Sequence, residues 1–253
     1  VINLRLFIIA ALTLYAGSVW AAVAFDAVSA SVSSVPGTST TQTHIVGSDA
    51  TIVLICVSSR DTGSAIQPVT SVTVGGSAAT LLNRVQNSAN ALSAELWYRL
   101  SPPAGLQTIN VTNNAANDRT VTTAITLKGS DSAAPFGASI ATSDPGSDNA
   151  NVDINGIASA VGEMGILCGA ARTNLTTASP DATSVTSIEE IEMVHGDATS
   201  NIGFIYSEDG ASPTIDMRVD LTPAARWAAV AVSVKNLTVA PSTNRHRTGV
   251  ILP

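Results

Sequence analysis

Side chains alternate between apolar and polar along most of this 253-residue chain. That alternation predicts an all-β fold, an antiparallel β-sandwich of jelly-roll type preceded by an N-terminal signal helix. Three observations carry the expectation. Period-two patterning dominates after Ala22, and no window there carries a helical stripe. Turn-forming residues punctuate it at short intervals. Charged residues make up 12% of the chain, about half the usual ~25%. Solubility therefore rests on Ser, Thr, Asn and Gly, while Thr and Val favour pleated, half-buried surfaces.

The first element is the leader. Arg5 precedes an apolar run from Leu6 to Tyr15, followed by Ala16, Gly17, Ser18 and then Val19-Trp20-Ala21. A basic head, a short apolar core and a small-x-Ala exit form the secretory pattern. It predicts a signal peptide over residues 1–21, with cleavage after Ala21 or after Ala24. The competing reading is an uncleaved membrane anchor, because weak apolarity continues to Phe25 and about 20 residues span a bilayer. Residues 22–236 are read as one sandwich domain, and 237–253 as a flexible tail without strand alternation.

Within the domain, Val121, Thr123, Ile125 and Leu127 face one way and Thr122, Ala124, Thr126 and Lys128 the other. Ala228, Val230, Val232 and Val234 likewise oppose Trp227, Ala229, Ala231 and Ser233. Gly75-Gly76 separates Val72-Thr73-Val74 from the strand that begins at Ala78, a hairpin signal because glycine accepts positive φ. The segment Ser101-Pro102-Pro103-Ala104-Gly105 reads as a second hairpin turn, between Leu96–Leu100 and Leu106–Thr112. Roughly a dozen or more short strands are expected by this pattern, and no fixed-period repeat is visible.

The net charge is −7, and no basic stripe offsets it, so neither nucleic acid nor an anionic membrane surface is an expected partner. Membrane contact is expected only through the N-terminal segment, if it stays uncleaved. Cys56 and Cys168 both lie in strand-like runs. Export would place them in an oxidising compartment, where neighbouring strands would let them form a disulfide. The alternative is a pair of buried thiols acting as small hydrophobes.

The run Ala94-Glu95-Leu96-Trp97-Tyr98-Arg99-Leu100-Ser101-Pro102-Pro103-Ala104-Gly105 is the most individual stretch. Taken with the Val-Thr-Val-Gly-Gly hairpin, with Ala124 to Gly129 and with Trp227 to Val232, it resembles exported jelly-roll or lectin-like β-sandwich proteins of environmental bacteria, found on surfaces and tail-like assemblies. The resemblance covers about residues 22–236. It implies the fold and an extracellular or cell-surface location (the periplasm being the alternative), and it supplies no catalytic or ligand residue.

Several constellations bear on chemistry. Asp61-Thr62-Gly63 spells an aspartic-protease signature, but polar residues precede it and no second copy exists, so it reads as a loop. Asn151-Val152-Asp153-Ile154-Asn155-Gly156 echoes a calcium loop, with Asp144 and Asp148 as further ligands. Gly162 stands where the bidentate acid belongs, and Val152 and Ile154 also read as a strand. Calcium is the alternative here to no cofactor at all. Glu189, Glu190 and Glu192 with His195 and Asp197 could supply paired carboxylates for glycan hydrolysis, against a solvated strand face. His44, His195 and His246 are scattered. Asn110, Asn174 and Asn236 occupy Asn-x-Thr positions.

Trp97 shares a face with Glu95 and Arg99, and Trp227 opposes the valine face of the last strand. An indole on a polar sheet face could stack on a sugar, whereas a second layer covering it would make it core. The expectation is therefore a non-enzymatic, secreted or cell-surface structural or adhesion protein, open to self-assembly through strand edges. A carbohydrate-binding module using Trp97 and Trp227 is the alternative, with a glycan hydrolase behind it. The expected partners are glycans or other copies of the chain.

Overall fold

The structure, a computed structural model, describes residues 22–29, 37–61, 66–87, 91–117, 119–144, 148–172, 175–180, 193–195 and 202–237. The expected leader over 1–21, the tail beyond 237, the acidic stretch 188–192, Asp197, Asn174 and His246 lie outside the described residues. The described chain is all-β, with seventeen strands numbered in chain order and every pairing antiparallel.

Four sheets form. The first inner sheet runs, in spatial order, β1 (Ala24–Ser29), β9 (Arg119–Lys128), β3 (Ala50–Arg60), β7 (Leu92–Leu100) and β6 (Thr80–Asn87). The second inner sheet runs β10 (Ile140–Ser143), β17 (Trp227–Val234), β12 (Met164–Ala171), β15 (Gly203–Asp209) and β14 (Met193–His195). The first outer sheet is β2 (Gly37–Val46), β8 (Gly105–Asn117), β4 (Val69–Val74) and β5 (Ser77–Ala78). The second outer sheet is β11 (Asn149–Ala158), β16 (Thr214–Ala225) and β13 (Thr177–Pro180).

The sheets stack face to face. Ile52, Leu54, Leu96 and Ile125 of the first inner sheet share one core with Ile166, Ile205, Val230 and Val232 of the second. Val53, Ile55 and Trp97 turn the other way and pack on Val72, Val74, Ile109 and Val111 of the first outer sheet. Leu167, Tyr206 and Trp227 do the same against Val152, Ile154, Met217 and Val219 of the second. Both faces of the inner sheets are thus covered, and all eight residues of β12 and of β17 are buried. A two-sheet sandwich would hide only one face of each sheet. The stack instead explains why these strands read as nearly continuous apolar runs of small residues.

The structure also contains a repeat that the sequence conceals. The inner orders β1-β9-β3-β7-β6 and β10-β17-β12-β15-β14 match strand for strand, and so do the outer orders β2-β8-β4 and β11-β16-β13. Cys56 is flanked in register by Leu96 and Thr123, and Cys168 by Ile205 and Val230 at the matching places. The two sulfurs are bonded, with Cα atoms 5.4 Å apart, which resolves the open choice between bridge and thiols. Each sulfur lies against the carbonyl of the residue before the other cysteine's cross-strand neighbour, Cys56 Sγ 3.6 Å from Phe204 and Cys168 Sγ 3.5 Å from Glu95. The bridge therefore joins equivalent positions, and an approximate two-fold relates the halves through it. Lys128 and Lys235, the chain's only lysines, also correspond, each three residues past a matched pair partner, Ile125 and Val232.

The two turn expectations fare differently. Gly75 and Gly76 take φ of 57° and 77° and close the β4–β5 hairpin as expected. The Ser101 to Gly105 segment is not a hairpin, because β7 lies in an inner sheet and β8 in an outer one. Pro102 and Pro103 lack the N–H groups a ladder needs, so the chain leaves one sheet there and enters the other.

Candidate interaction surface and groove

Glu95 stands at the centre of the stretch singled out from sequence. It is 1% exposed and its carboxylate accepts four hydrogen bonds. Oε2 takes Arg84 at 2.8 Å and Trp97 Nε1 at 3.1 Å; Oε1 takes the Val69 amide at 3.0 Å and Ser93 Oγ at 3.3 Å. A buried charge so fully paired is a structural anchor that ties β7 to β6 and β4. Trp97 and Trp227 are each 7% exposed, packed beneath the two outer sheets. Both indoles are covered by an outer sheet, the arrangement that the second-layer reading describes.

Arg99, next on the same face, has a different setting. It reaches the end of β4, where one guanidinium nitrogen donates to the Val74 carbonyl at 3.2 Å. Its Nε is buried without a hydrogen-bond partner. Here the chain crosses from the outer sheet to the inner one, β5 passing into β6 within two residues, and the β6–β7 ladder ends at Thr80 and Tyr98. The crossing leaves an open groove of about 390 Å³ lined by Ser77, Ala78, Thr80, Tyr98, Arg99 and Leu100. Tyr98 is held from behind by an edge-on contact with Phe136, ring centroids 4.7 Å apart.

The two outer sheets differ in chemistry although their topology matches. The strands Gly37–Val46, Val69–Val74, Ser77–Ala78 and Gly105–Asn117 contain no Asp, Glu, Lys or Arg. Their outward residues form rows across the sheet: Ser39, Thr112 and Ser71; Thr41, Asn110 and Thr73; Thr43 and Thr108. Thr41 Oγ1 donates to Asn110 Oδ1 at 2.8 Å within the second row. Ile45 and Leu106, 66% and 69% exposed, complete the face as an apolar pair in register. Beside them an open groove of about 510 Å³ runs between β1 and β2. The matching face of the second outer sheet is charged, with Arg218 3.3 Å from Asp153 and 3.7 Å from Asp220. A signal for the neutral face was present in the sequence, since no charged residue occurs from 62 to 83 or from 100 to 117.

Beneath the neutral face, β2 carries a polar interior where β11 is apolar. Thr40, Gln42 and His44 are the polar residues that β2 buries, where the corresponding strand β11 buries Val152, Ile154 and Ile157. Thr40 bonds Thr122 at 3.2 Å, and His44 Nε2 bonds Thr126 Oγ1 at 2.6 Å. Loss of hydration pulls His44 from 6.5 down to about 4, against a smaller upward pull from Asp26.

The remaining candidates are dispersed. Asn151, Asp153 and Asn155 lie along the extended strand β11, not in a coiled loop. Asp153 is paired with Arg218, Asp148 lies 3.7 Å from Arg226, and Asp144 accepts from Asn149. Among the described residues no three His, Cys, Asp or Glu side chains gather as a metal site. Asp61 is buried at 4% exposure at the end of β3. His195 lies opposite Gly203 in the edge strand β14. Asn236 is buried, whereas Asn110 sits in the middle row of the neutral face.

Comparison with protein-family models, with curated proteins and with solved structures finds no match to this chain.

Proposed function

We propose that this is a non-enzymatic, exported adhesion or structural protein that contacts neutral, hydroxyl-rich partners such as polysaccharides through its first outer sheet. The observation that carries the reading is the charge-free face of Ser, Thr and Asn rows ending in Ile45 and Leu106. Such a face brings no ion to desolvate and offers ordered donors and acceptors, which suits a partner that is itself uncharged and hydroxylated. The equivalent charged sheet lacks this property. Several carboxylates serve internal bonds instead of facing a cleft: Glu95 as described, Glu163 with Ser233 at 2.7 Å, Glu208 with Tyr206 at 3.0 Å and Asp26 with the Gly47 amide at 2.9 Å. That use of acids favours binding over hydrolysis.

Each half is read as a jelly roll. Inner and outer strands alternate along the chain, β1 inner, β2 outer, β3 inner, β4 outer, with β8 and β9 returning between them. The leader-like segment and a disulfide between equivalent strands support export into an oxidising compartment.

The test is sedimentation of the full chain with insoluble neutral polysaccharides, cellulose, chitin and xylan among them. The wild type is expected to sediment with at least one. Thr43→Lys with Thr108→Lys, two exposed residues opposed in register, should abolish it, while Thr214→Lys on the other outer sheet should not. Equal binding by both variants would refute this face as the contact. Sedimentation without any polysaccharide would favour self-association through Ile45 and Leu106 instead.

A further inference from the structure

We infer that β2 is a detachable strap: it opens from β8 and from the first inner sheet while the rest of the fold stays closed, and acid drives the opening. The opening itself is independent of what the neutral face contacts. Its regulatory meaning rests on that reading, because β2 carries Ser39, Thr41, Thr43 and Ile45, one column of the face.

Position comes first. β2 and β11 are edge strands of the two outer sheets, and each has a single ladder partner, β8 or β16. Beyond that ladder, an edge strand is held by the side-chain layer beneath it. β11 buries Val152, Ile154 and Ile157 there, each at 2% exposure or less. β2 buries Thr40, Gln42 and His44, and Val46 at its last position is its only buried apolar residue. Apolar burial is lost when a strand opens, whereas hydrogen bonds of hydroxyls and imidazoles are exchanged for bonds to water with little net change. The Thr40–Thr122 and His44–Thr126 bonds are of that kind. His44 goes further, since its Nδ1 is buried without a hydrogen-bond partner and gains one on hydration. Val46 and the Gly47 amide, which donates to Asp26 at 2.9 Å, pin the end next to β3 and make it the hinge. Segments with few buried apolar contacts open locally, below the free energy of global unfolding.

Acid acts through the same histidine. In the closed strand, burial pulls His44 from 6.5 down to about 4, against a smaller upward pull from Asp26 of β1. Of the strands packed around β2, β8 has no charged residue and β1 has Asp26 alone. β9 has Arg119 and Lys128 at its two ends, Lys128 lying 3.5 Å from Asp49. Opening restores hydration and the ordinary value. Below about pH 6.5 the open strand therefore takes up a proton that the closed strand refuses, and opening grows more favourable down to about pH 4.

Native-state hydrogen exchange of the full chain, resolved by strand with NMR, tests this. The β2 amides bonded to β8 should be at least about ten-fold less protected than the β11 amides bonded to β16, and insensitive to low denaturant. With intrinsic exchange rates divided out, β2 protection should fall about 30-fold from pH 8 to pH 5, the ratio that the two His44 values give. His44→Gln should remove that fall. Equal protection of β2 and β11, or β2 exchange that follows the denaturant dependence of global unfolding, would overturn the strap. A β2 protection that ignores pH, or that responds equally in His44→Gln, would overturn its control by acid.

Discussion

His44 concentrates the cost of a polar interior. It is 1% exposed and its Nδ1 has no hydrogen-bond partner, so the folded chain holds the ring neutral with a pKa of about 4. In the unfolded chain the ring titrates near 6.5. Above that value both states are neutral and the full stability is present. As pH falls from about 6.5 to 4, the unfolded state gains a proton that the folded state refuses, and stability is lost. The depression corresponds to roughly 3 kcal/mol. Denaturant unfolding at pH 7 and pH 4 should therefore give a larger loss for the wild type than for His44→Gln, by about that amount. Identical losses would mean the ring is hydrated in the folded protein. Glu95 illustrates the opposite solution, a buried charge made tolerable by four donors. Alternation along β7 alone places Glu95, Trp97 and Arg99 on one face. It could not say what lies over that face, and the covering decides that Trp97 is core while Arg99 borders a groove.

At the scale of elements, strands were legible because pleating imposes a period of two, and the Gly75-Gly76 hairpin was legible because positive φ demands that chemistry. Crossings between layers were not, because a proline pair marks the end of a ladder without naming the next sheet. Along the calcium-like stretch, Val152 and Ile154 are buried against the second inner sheet, and that burial keeps β11 extended. Close packing between elements supplies a sharp test on β12. A methyl group on Gly169 would collide with the Phe204 ring of β15, itself 2% exposed. Gly169→Ala should cost about 1–3 kcal/mol by overpacking, measured by denaturant midpoint. A second substitution, Phe204→Leu, should recover part of the loss. A neutral Gly169→Ala would mean the two strands are not packed this closely.

The whole molecule is two matched halves whose inner sheets share one core. The repeat escaped notice in the sequence because topology constrains strand order and burial, not residue identity. Thr40, Gln42 and His44 answer to Val152, Ile154 and Ile157, and a neutral outer face answers to a charged one. What corresponds most plainly is what sits at the two-fold, Cys56 and Cys168, along with Lys128 at the end of β9 and Lys235 just past β17. A bridge closing a 112-residue separation is worth about 4–5 kcal/mol in the chain-entropy account, and it fixes which faces of β3 and β12 meet. Peptide mapping of the unreduced, full-length protein by mass spectrometry is the most direct test of that architecture. The expected result is a single cross-linked peptide joining Cys56 to Cys168 within one chain, released on reduction. Two free thiols in the folded protein, or a link between separate chains, would contradict it.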